Sequence, residues 1–189
     1  MTPFHSVLKE LATVADAIDS VAVIHACERI AGAGRVVAYG CGRERLQLAG
    51  FVMRLHHLGL RVAMQGDMNA PPLGPGDLFI CSAGPGDLST VTALMQVARA
   101  AGADILMLTG QPDAAPVALA TDVIFIPAQT MANDGGKAGE NNGAAASVLP
   151  MGSLYEGAMF LLFEVMILDL RDRLGIPADL MRARHTNME

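Results

Sequence analysis

Five short apolar segments recur along the middle of this chain, and each is followed by residues with helical spacing. The apolar segments are typical of buried strands, since each is bounded by glycine, proline or polar residues. They are expected at 35–39, 61–65, 78–82, 104–109 and 122–126. Strands that are apolar on both faces and separated by helices form parallel sheets covered on both sides. The sequence therefore predicts a three-layer α/β/α sandwich with a five-stranded, doubly wound parallel sheet in flavodoxin-like order.

Helical segments separate and flank these strands. Residues 4–31 place apolar side chains at steps of three and four, which indicates one long or two short amphipathic helices. Further helices are expected at 44–58, 89–101, 114–120 and 151–174. Residues 127–150 lack periodicity, which predicts a flexible loop that is either an active-site lid or a permissive insertion.

The length of 189 residues suits one well-filled core better than two ordinary domains. We therefore expect a single domain over residues 1–189. Its parts are N-terminal helices at 1–31, an α/β core at 35–126, the loop at 127–150, and a C-terminal helix with a tail at 151–189.

The hydrophobic content of 52% is high for one domain, so the chain either spans a membrane or buries apolar surface between subunits. The most apolar stretch, 151–170, contains Glu156, Glu164 and Asp169, and charges near a bilayer centre are costly. We expect no membrane interaction and a homo-oligomer, either a dimer or a tetramer.

Charge and cysteine usage bound the partners and the compartment. A net charge of −6 with only 13 Lys and Arg argues against nucleic-acid binding, which needs a basic patch. The three cysteines are widely spaced and form no C-x-x-C pair, and the first ten residues carry charges instead of a signal-like pattern. We expect reduced thiols and a cytoplasmic protein.

Two glycine-rich turns follow predicted strands. Gly40 and Gly42 follow the first strand, and the segment 82–90, which reads SAGPGDLST, follows the third. Ligands of doubly wound sheets bind at the carboxyl ends of strands, where backbone N–H groups and helix N-termini favour anions. The turns therefore predict a site for an anionic ligand, although Pro85 removes one N–H donor.

Several longer motifs extend this pattern over most of the chain. They are GxGR at 40–43, MRLHHLG at 53–59, LPMGSLYE at 149–156 and RHTNME at 184–189. Together they resemble the sugar isomerase (SIS) domain family, and within it the 6-phospho-3-hexuloisomerases. The resemblance implies aldose–ketose isomerisation through an enediol, a small-molecule sugar derivative such as a sugar phosphate as the ligand, and no cofactor.

Glu156 matches the family's proton-transferring carboxylate. Its own setting also suits a base, since it lies in the first turn of an apolar helix, where the helix dipole favours the charged form and neighbours desolvate it. The alternative is a capping box in which Glu156 and Ser153 satisfy the helix N-terminal amides.

His57 matches a histidine that resembles the family's second acid/base or ring-opening residue. It shares a helix face with Leu46, Gly50 and Met53, so it could instead be a packed core histidine. It lies about 18 Å along its helix from the strand ends, at about 1.5 Å per residue, and would therefore act in a neighbouring subunit's site. His185 in the tail could likewise cross an interface or be a solvated terminal residue.

The binding turns depart from the family's pattern. The family's first turn reads GxGRS, whereas Glu44 here replaces the serine, and its second loop reads SGSGET, whereas Pro85 and Leu88 replace hydroxyl residues. We expect the flanking Arg43 and Arg45 to divert the charge of Glu44 outward, since it would otherwise repel a dianion unless paired.

Eight residues of these turns are candidates for holding the anionic end of the substrate. They are Gly40, Gly42, Arg43, Ser82, Gly84, Gly86, Ser89 and Thr90. Ser89 or Thr90 could equally be the N-cap of the following helix, and for Thr90 the cap is preferred.

Other functions stay open beside an isomerase. A sugar-binding module without turnover would fit the altered loops, and so would an isomerase with a non-phosphorylated or otherwise altered substrate. Dinucleotide-dependent redox chemistry is disfavoured because Arg45 occupies the position of the third glycine. A metal site is not expected, because the adjacent His56 and His57 point about 100° apart on a helix.

Overall fold

The computed structural model describes residues 2–134 and 147–188, which contain one parallel sheet. Its strands are β1 (Val36–Gly40), β2 (Val62–Met64), β3 (Leu78–Ser82), β4 (Asp104–Thr109) and β5 (Asp122–Phe125). They lie in the order β2-β1-β3-β4-β5, with parallel pairing throughout. This arrangement confirms the predicted fold class and strand order.

The helices lie before, between and after these strands. They are α1 (Pro3–Ala17), α2 (Ser20–Gly32), α3 (Gly42–His57), α4 (Ser89–Ala100), α5 (Ser153–Arg173) and α6 (Ala178–Ala183). The N-terminal segment thus forms two helices, because the Asp19 side chain accepts a hydrogen bond from Val21 N–H and begins a new helix.

The structure corrects two details of the prediction. The segment expected as a helix at 114–120 is a five-residue 3₁₀ helix, Ala115–Leu119, with Pro116 in its first turn. Helix α6 in the tail was not predicted. Most of the expected loop, residues 135–146, lies outside the described residues, so the lid and the insertion both stay predictions.

Alternating side chains of the strands fill two cores. On one face Ala38, Ile80 and Leu106 pack with residues of α1, α2, α3 and α5. On the other face Phe79 and Met107 pack against α4. Both faces of the central strands are therefore buried, as their continuous apolar sequence requires.

Helix α5 is the largest apolar element and joins α3 on one face of the sheet. Phe163 of α5 stacks on Phe51 of α3, with ring centroids 4.3 Å apart and ring planes 8° from parallel. Apolar residues occupy most sides of α5, and several, including Phe160 and Val165, stay exposed. In the described part of the chain, no helix is long and apolar enough to cross a membrane.

The order of the strands reverses between β1 and β3, and this reversal positions the site. Gly40 and Ser82, the last residues of the two strands, are register partners. Helix α3 follows β1, and α4 follows β3 on the opposite face of the sheet. Such reversals open a crevice at the carboxyl ends of the strands, where ligands of this architecture bind.

The Phe51–Phe163 stack should carry much of the attachment of α5 to α3. Phe163→Ala removes a side chain that is 4% exposed, and we expect it to lower the free energy of unfolding by about 3–5 kcal/mol. Urea denaturation measures the loss. Phe4→Ala, on a side chain that is 81% exposed, is the matched control and should change stability by less than about 0.5 kcal/mol. Equal losses in the two variants would contradict the assignment.

Candidate active site

The first turn of α3 directs a carboxylate into the crevice between β1 and β3. Glu44 Oε2 accepts a hydrogen bond from the Ser82 hydroxyl at 2.5 Å. The Gly84 N–H also donates to this carboxylate, at 3.1 Å to Oε2 and 3.2 Å to Oε1. Glu44 therefore links the turn after β1 to the loop after β3 through hydrogen bonds.

The prediction that the flanking arginines divert this charge outward is wrong. Arg45 donates to the carbonyl oxygen of Gln65 at 3.0 Å, and Arg43 pairs with Glu156. In the described part of the chain, no arginine or lysine forms an ion pair with Glu44. The carboxylate turns inward because hydrogen-bond donors at the end of β3 lie within its reach.

The surroundings of Glu44 act on its pKa in opposite directions. Burial raises the pKa of Glu44, and the nearby charge of Glu156 also raises it, whereas the hydrogen bonds from Ser82 and Gly84 lower it. The net result is a raised pKa. Desolvation therefore outweighs the donors, and the crevice holds this carboxylate at an electrostatic cost.

Tyr155 completes a buried hydrogen-bonded chain below the carboxylate. Its hydroxyl lies 3.1 Å from Ser82 Oγ, and its side chain is 1% exposed. Ser82 has one hydroxyl proton, which the short bond assigns to Glu44, so Tyr155 is the donor to Ser82. Burial and the charge of Glu44 raise the pKa of Tyr155 well above its ordinary value, so the phenol stays protonated.

The N–H groups of the loop after β3 donate hydrogen bonds to acceptors within the chain. Ala83 N–H donates to the Leu108 carbonyl, Gly84 N–H donates to Glu44, and Gly86 N–H donates to the Ala83 carbonyl. Pro85 has no N–H. Ser82 and Gly84 thus both donate to Glu44, and no N–H between residues 83 and 86 is left over for an external anion.

The other predicted binding residues occupy different surroundings. Helix α4 begins at Ser89 and its N-cap is Leu88, so the N-cap interpretation of Ser89 and Thr90 is wrong. Both side chains are exposed at the start of α4. The cap falls one residue earlier because Leu88 still has extended backbone geometry.

Two of the predicted glycines are close-packed. A Cβ on Gly40 would lie 2.8 Å from a methyl carbon of Leu48, and one on Gly86, at φ +93°, would lie 2.7 Å from Cβ of Gln111. The positive φ and the close neighbours explain why glycine is needed at position 86, whereas a Cβ on Gly40 would require the Leu48 side chain to shift. Gly42, at φ +54°, faces open space at the start of α3.

Glu156 lies in the first turn of α5, next to Tyr155 in sequence, and is 8% exposed. Its Oε2 lies 3.0 Å from Nη2 of Arg43, but no N–H of the described residues is aimed to donate a hydrogen bond to it. Burial raises the pKa of Glu156, and the charge of Arg43 lowers it. Glu156 is therefore a desolvated carboxylate with an ionic partner and one buried oxygen that accepts no hydrogen bond from the described residues.

The capping-box interpretation of Glu156 is wrong. The N-cap of α5 is Gly152 in the left-handed region at φ +78°, and Ser153 is already inside the helix. The Ser153 hydroxyl accepts a hydrogen bond from Arg43 at 3.1 Å. Met151, directly before the cap, is also left-handed at φ +54°, which costs a non-glycine residue about 1–2 kcal/mol. A strained turn thus directs α5 and Glu156 toward the crevice.

His57 and His185 lie together at the far end of α3. Their ring centroids are 5.2 Å apart, and Arg184 donates to the His57 carbonyl at 3.1 Å. His57 is the last residue of α3, about 22 Å along the helix from Gly42 at the usual rise per residue. The structure therefore does not bring either histidine to Glu156 of the same chain.

The surroundings of His57 differ from the predicted core face. Leu46 and Met53, which share its helical spacing, are exposed, whereas His57 is 4% exposed. The C-terminal tail contacts this end of α3, because His185 faces the His57 ring and Arg184 bonds to its backbone. Burial is the main cause that lowers the pKa of His57. The charges of His185, Arg54 and His56 lower it further.

Sequence reasoning missed Tyr155 and the inward direction of Glu44. Tyr155 directly precedes Glu156 in the first turn of α5. Consecutive helical side chains point in different directions, so helical spacing could have placed Tyr155 on the side that faces the sheet. In the described ranges 2–134 and 147–188, no three His, Cys, Asp or Glu side chains converge on a point that could hold a metal ion.

Comparison with known proteins extends the similarity over nearly the whole chain. The chain is 33% identical over 180 residues to the 3-hexulose-6-phosphate isomerase of Mycobacterium gastri, which covers 95% of this chain and 86% of that protein. It is 28% identical over 183 residues to the protein of the same name from Bacillus subtilis (strain 168), covering 97% and 95%. No family model matches the chain.

A solved structure gives the same architecture. The hypothetical protein MJ1247 from Methanococcus jannaschii, whose structure was taken to infer a function of 3-hexulose-6-phosphate isomerase, superposes with a TM-score of 0.82. The alignment covers 98% of both chains at 21% identity. At that identity the likeness supports the fold alone.

The ion pair with Arg43 should be measurable as a change in the acidity of Glu156. Because the positive charge of Arg43 favours the ionised carboxyl, Arg43→Gln should raise the pKa of Glu156 further. A carbon-13 NMR titration of the Glu side chains, assigned with Glu156→Gln, gives the pKa.

Arg99→Gln is the matched control for this charge change. Arg99 lies in the last turn of α4 and donates to the Leu119 carbonyl, so its loss should leave the Glu156 titration unchanged. An unchanged pKa in Arg43→Gln would show that the pair is not formed in solution.

Proposed function

We propose that this chain, which belongs to the sugar isomerase (SIS) domain family and within it to the group of the 3-hexulose-6-phosphate isomerases, is itself an aldose–ketose isomerase. The observation that carries the proposal is Glu156, a desolvated carboxylate at the carboxyl end of the sheet with one oxygen that accepts no hydrogen bond. The relatives named above are isomerases named for a phosphorylated 3-ketose, which supports a reaction that moves a proton between neighbouring carbons of a sugar.

The proposed reaction moves one proton between neighbouring carbons of an open-chain sugar. Glu156 removes the proton from the carbon next to the carbonyl, and the electron pair of that C–H bond forms the C=C bond of an enediol. Glu156 then returns the proton to the former carbonyl carbon, while a hydroxyl proton moves between the two oxygens. The electrons stay within the sugar, so this chemistry needs no external oxidant or reductant.

The surroundings of Glu156 fit the role of a base. The raised pKa brings its basicity closer to that needed at neutral pH, while the charge of Arg43 favours the ionised carboxyl. The Arg43 side chain is 61% exposed and could turn toward negative charge that develops on the sugar oxygens. Arg43 is thus the positively charged partner for both the base and the enediolate.

His57 and His185 would assist from a neighbouring subunit. In one chain they lie at the opposite end of α3 from Glu156, so a second acid/base role requires that another copy bring its α3 end to the crevice. An apolar groove of about 290 Å³ lies between α1, α2 and α5. Phe160 and Leu168 of α5 are also exposed. This exposed apolar surface supports such an oligomer.

A sugar-binding module without turnover is the second candidate. The occupied N–H groups of residues 83–86 and the Ser82 bond to Glu44 favour it, because they differ from an open anion cradle. The presence of Glu156 without a capping role favours the enzyme.

Glu156→Gln separates these candidates. The amide keeps the size of the side chain but cannot take up the proton, so kcat for the best ketose in an aldose–ketose interconversion screen should fall by at least about a hundredfold. Ligand binding, measured by calorimetry, should persist. Undiminished turnover in Glu156→Gln would show that another group is the base, and sugar binding with no turnover in the wild type would favour the module.

A mixture of two inactive variants tests the role of His57 across an interface. If the site combines Glu156 of one subunit with His57 of another, Glu156→Gln and His57→Asn chains refolded together should regain activity that neither has alone. The activity of the mixture after co-refolding, compared with the two variants mixed without unfolding, is the measurement. A co-refolded mixture that stays as inactive as its components would place both residues in one chain's site or remove His57 from the reaction.

A further inference from the structure

The donors that converge at the reversal of strand order already hold an anion of the chain itself. The Ser82 hydroxyl and the Gly84 N–H both point to the end of the crevice between β1 and β3, and both donate to the Glu44 carboxylate. A hydroxyl and a backbone N–H at a strand end are the groups that commonly bind a ligand's phosphate. Here Glu44 supplies the negative charge.

The fit leaves little room for a second anion. A Cβ placed on Gly84 would lie 2.9 Å from Glu44 Oε1 and 3.0 Å from the Tyr155 ring, so the carboxylate packs directly on this backbone. The neighbouring N–H groups of Ala83 and Gly86 are bonded to carbonyl oxygens, and Pro85 has none. A phosphate could gain these donors only if Glu44 left them.

Charge opposes such an exchange. A phosphate dianion at this position would face the carboxylates of Glu44 and Glu156, and the charge of Glu156 already raises the pKa of Glu44. The nearest arginines are engaged elsewhere, Arg43 with Glu156 and Ser153, and Arg45 with a carbonyl oxygen. Like charges this close are destabilising unless a cation is placed between them.

We propose that Glu44 determines substrate specificity, because its carboxylate takes the place of a substrate phosphate and selects sugars whose end in this crevice is an uncharged hydroxyl. A hydroxyl can donate to Oε1, which accepts only the longer of the two Gly84 bonds and keeps a free lone pair. The proposal rests on the proposed function in that the ligand is a sugar.

Removal of this charge should open the crevice to phosphate. Glu44→Ser leaves the Ser82 hydroxyl and the Gly84 N–H without their internal acceptor and vacates the volume of the carboxylate. Inorganic phosphate and fructose 6-phosphate, titrated by calorimetry, should bind this variant at least about tenfold more tightly than the wild type. Fructose should bind the wild type more tightly than fructose 6-phosphate does.

Two further variants keep the result interpretable. Glu44→Gln removes the charge but keeps the volume and one acceptor oxygen, so it should fold even if Glu44→Ser does not, and should bind fructose 6-phosphate more tightly than the wild type. Glu28→Ser, an equal charge change on an exposed residue of α2, should leave phosphate binding unchanged.

Wild-type protein that binds fructose 6-phosphate at least as tightly as both Glu44 variants would overturn the proposal. The binding assay needs no turnover, so it separates this proposal from the proposed function. Phosphate binding gained by the Glu44 variants of a protein that isomerises no sugar would uphold the role of Glu44 and reject the isomerase. If the protein turns over a phosphorylated ketose and the Glu44 variants do not lower the KM, the isomerase is upheld and the role of Glu44 is rejected.

Discussion

The hydrogen bonds between the Glu44 carboxylate and the end of β3 are the interaction on which the site depends. They join the turn after β1 to the loop after β3 at the point where the strand order reverses. The adjacent Arg43 pairs with Glu156 on α5. One short turn therefore places an acidic group in the crevice next to the cation that pairs with the proposed base.

Two consecutive residues of helix α5 lie in different chemical environments. Tyr155 turns into the sheet, where it is fully enclosed and bonded to Ser82. Glu156, about 100° further around the helix, reaches the edge of the crevice, where burial raises its pKa and its Oε2 accepts no hydrogen bond from the described residues. The helix can expose Glu156 in this way because the left-handed turn at Met151 and Gly152 sets its direction, and packing on α3 holds it.

The sheet could be predicted from the sequence because burial on both faces of a parallel strand leaves a continuous apolar run, which is a local signal. The positions of Ser82, Gly84 and Glu156 near the carboxyl ends of the strands followed from that sheet. The direction of Glu44 could not be predicted in this way, since its donor Ser82 lies 38 residues away and the neighbouring arginines suggested an outward path. The burial of His57 depends on the C-terminal tail, whose helix α6 is too short to give a periodic signal.

The central claim is that Glu44 holds one end of the crevice as an internal anion while Glu156 faces the reacting carbons of the sugar. A crystal structure with an unphosphorylated ketose bound tests this most directly. We expect a sugar hydroxyl to donate to Glu44, the bonds from Ser82 and Gly84 to Glu44 to be intact, and the carbon beside the carbonyl to lie about 3–3.5 Å from a Glu156 oxygen. A ligand bound away from Glu156, or one seated on Ser82 and Gly84 after displacement of Glu44, would contradict the account.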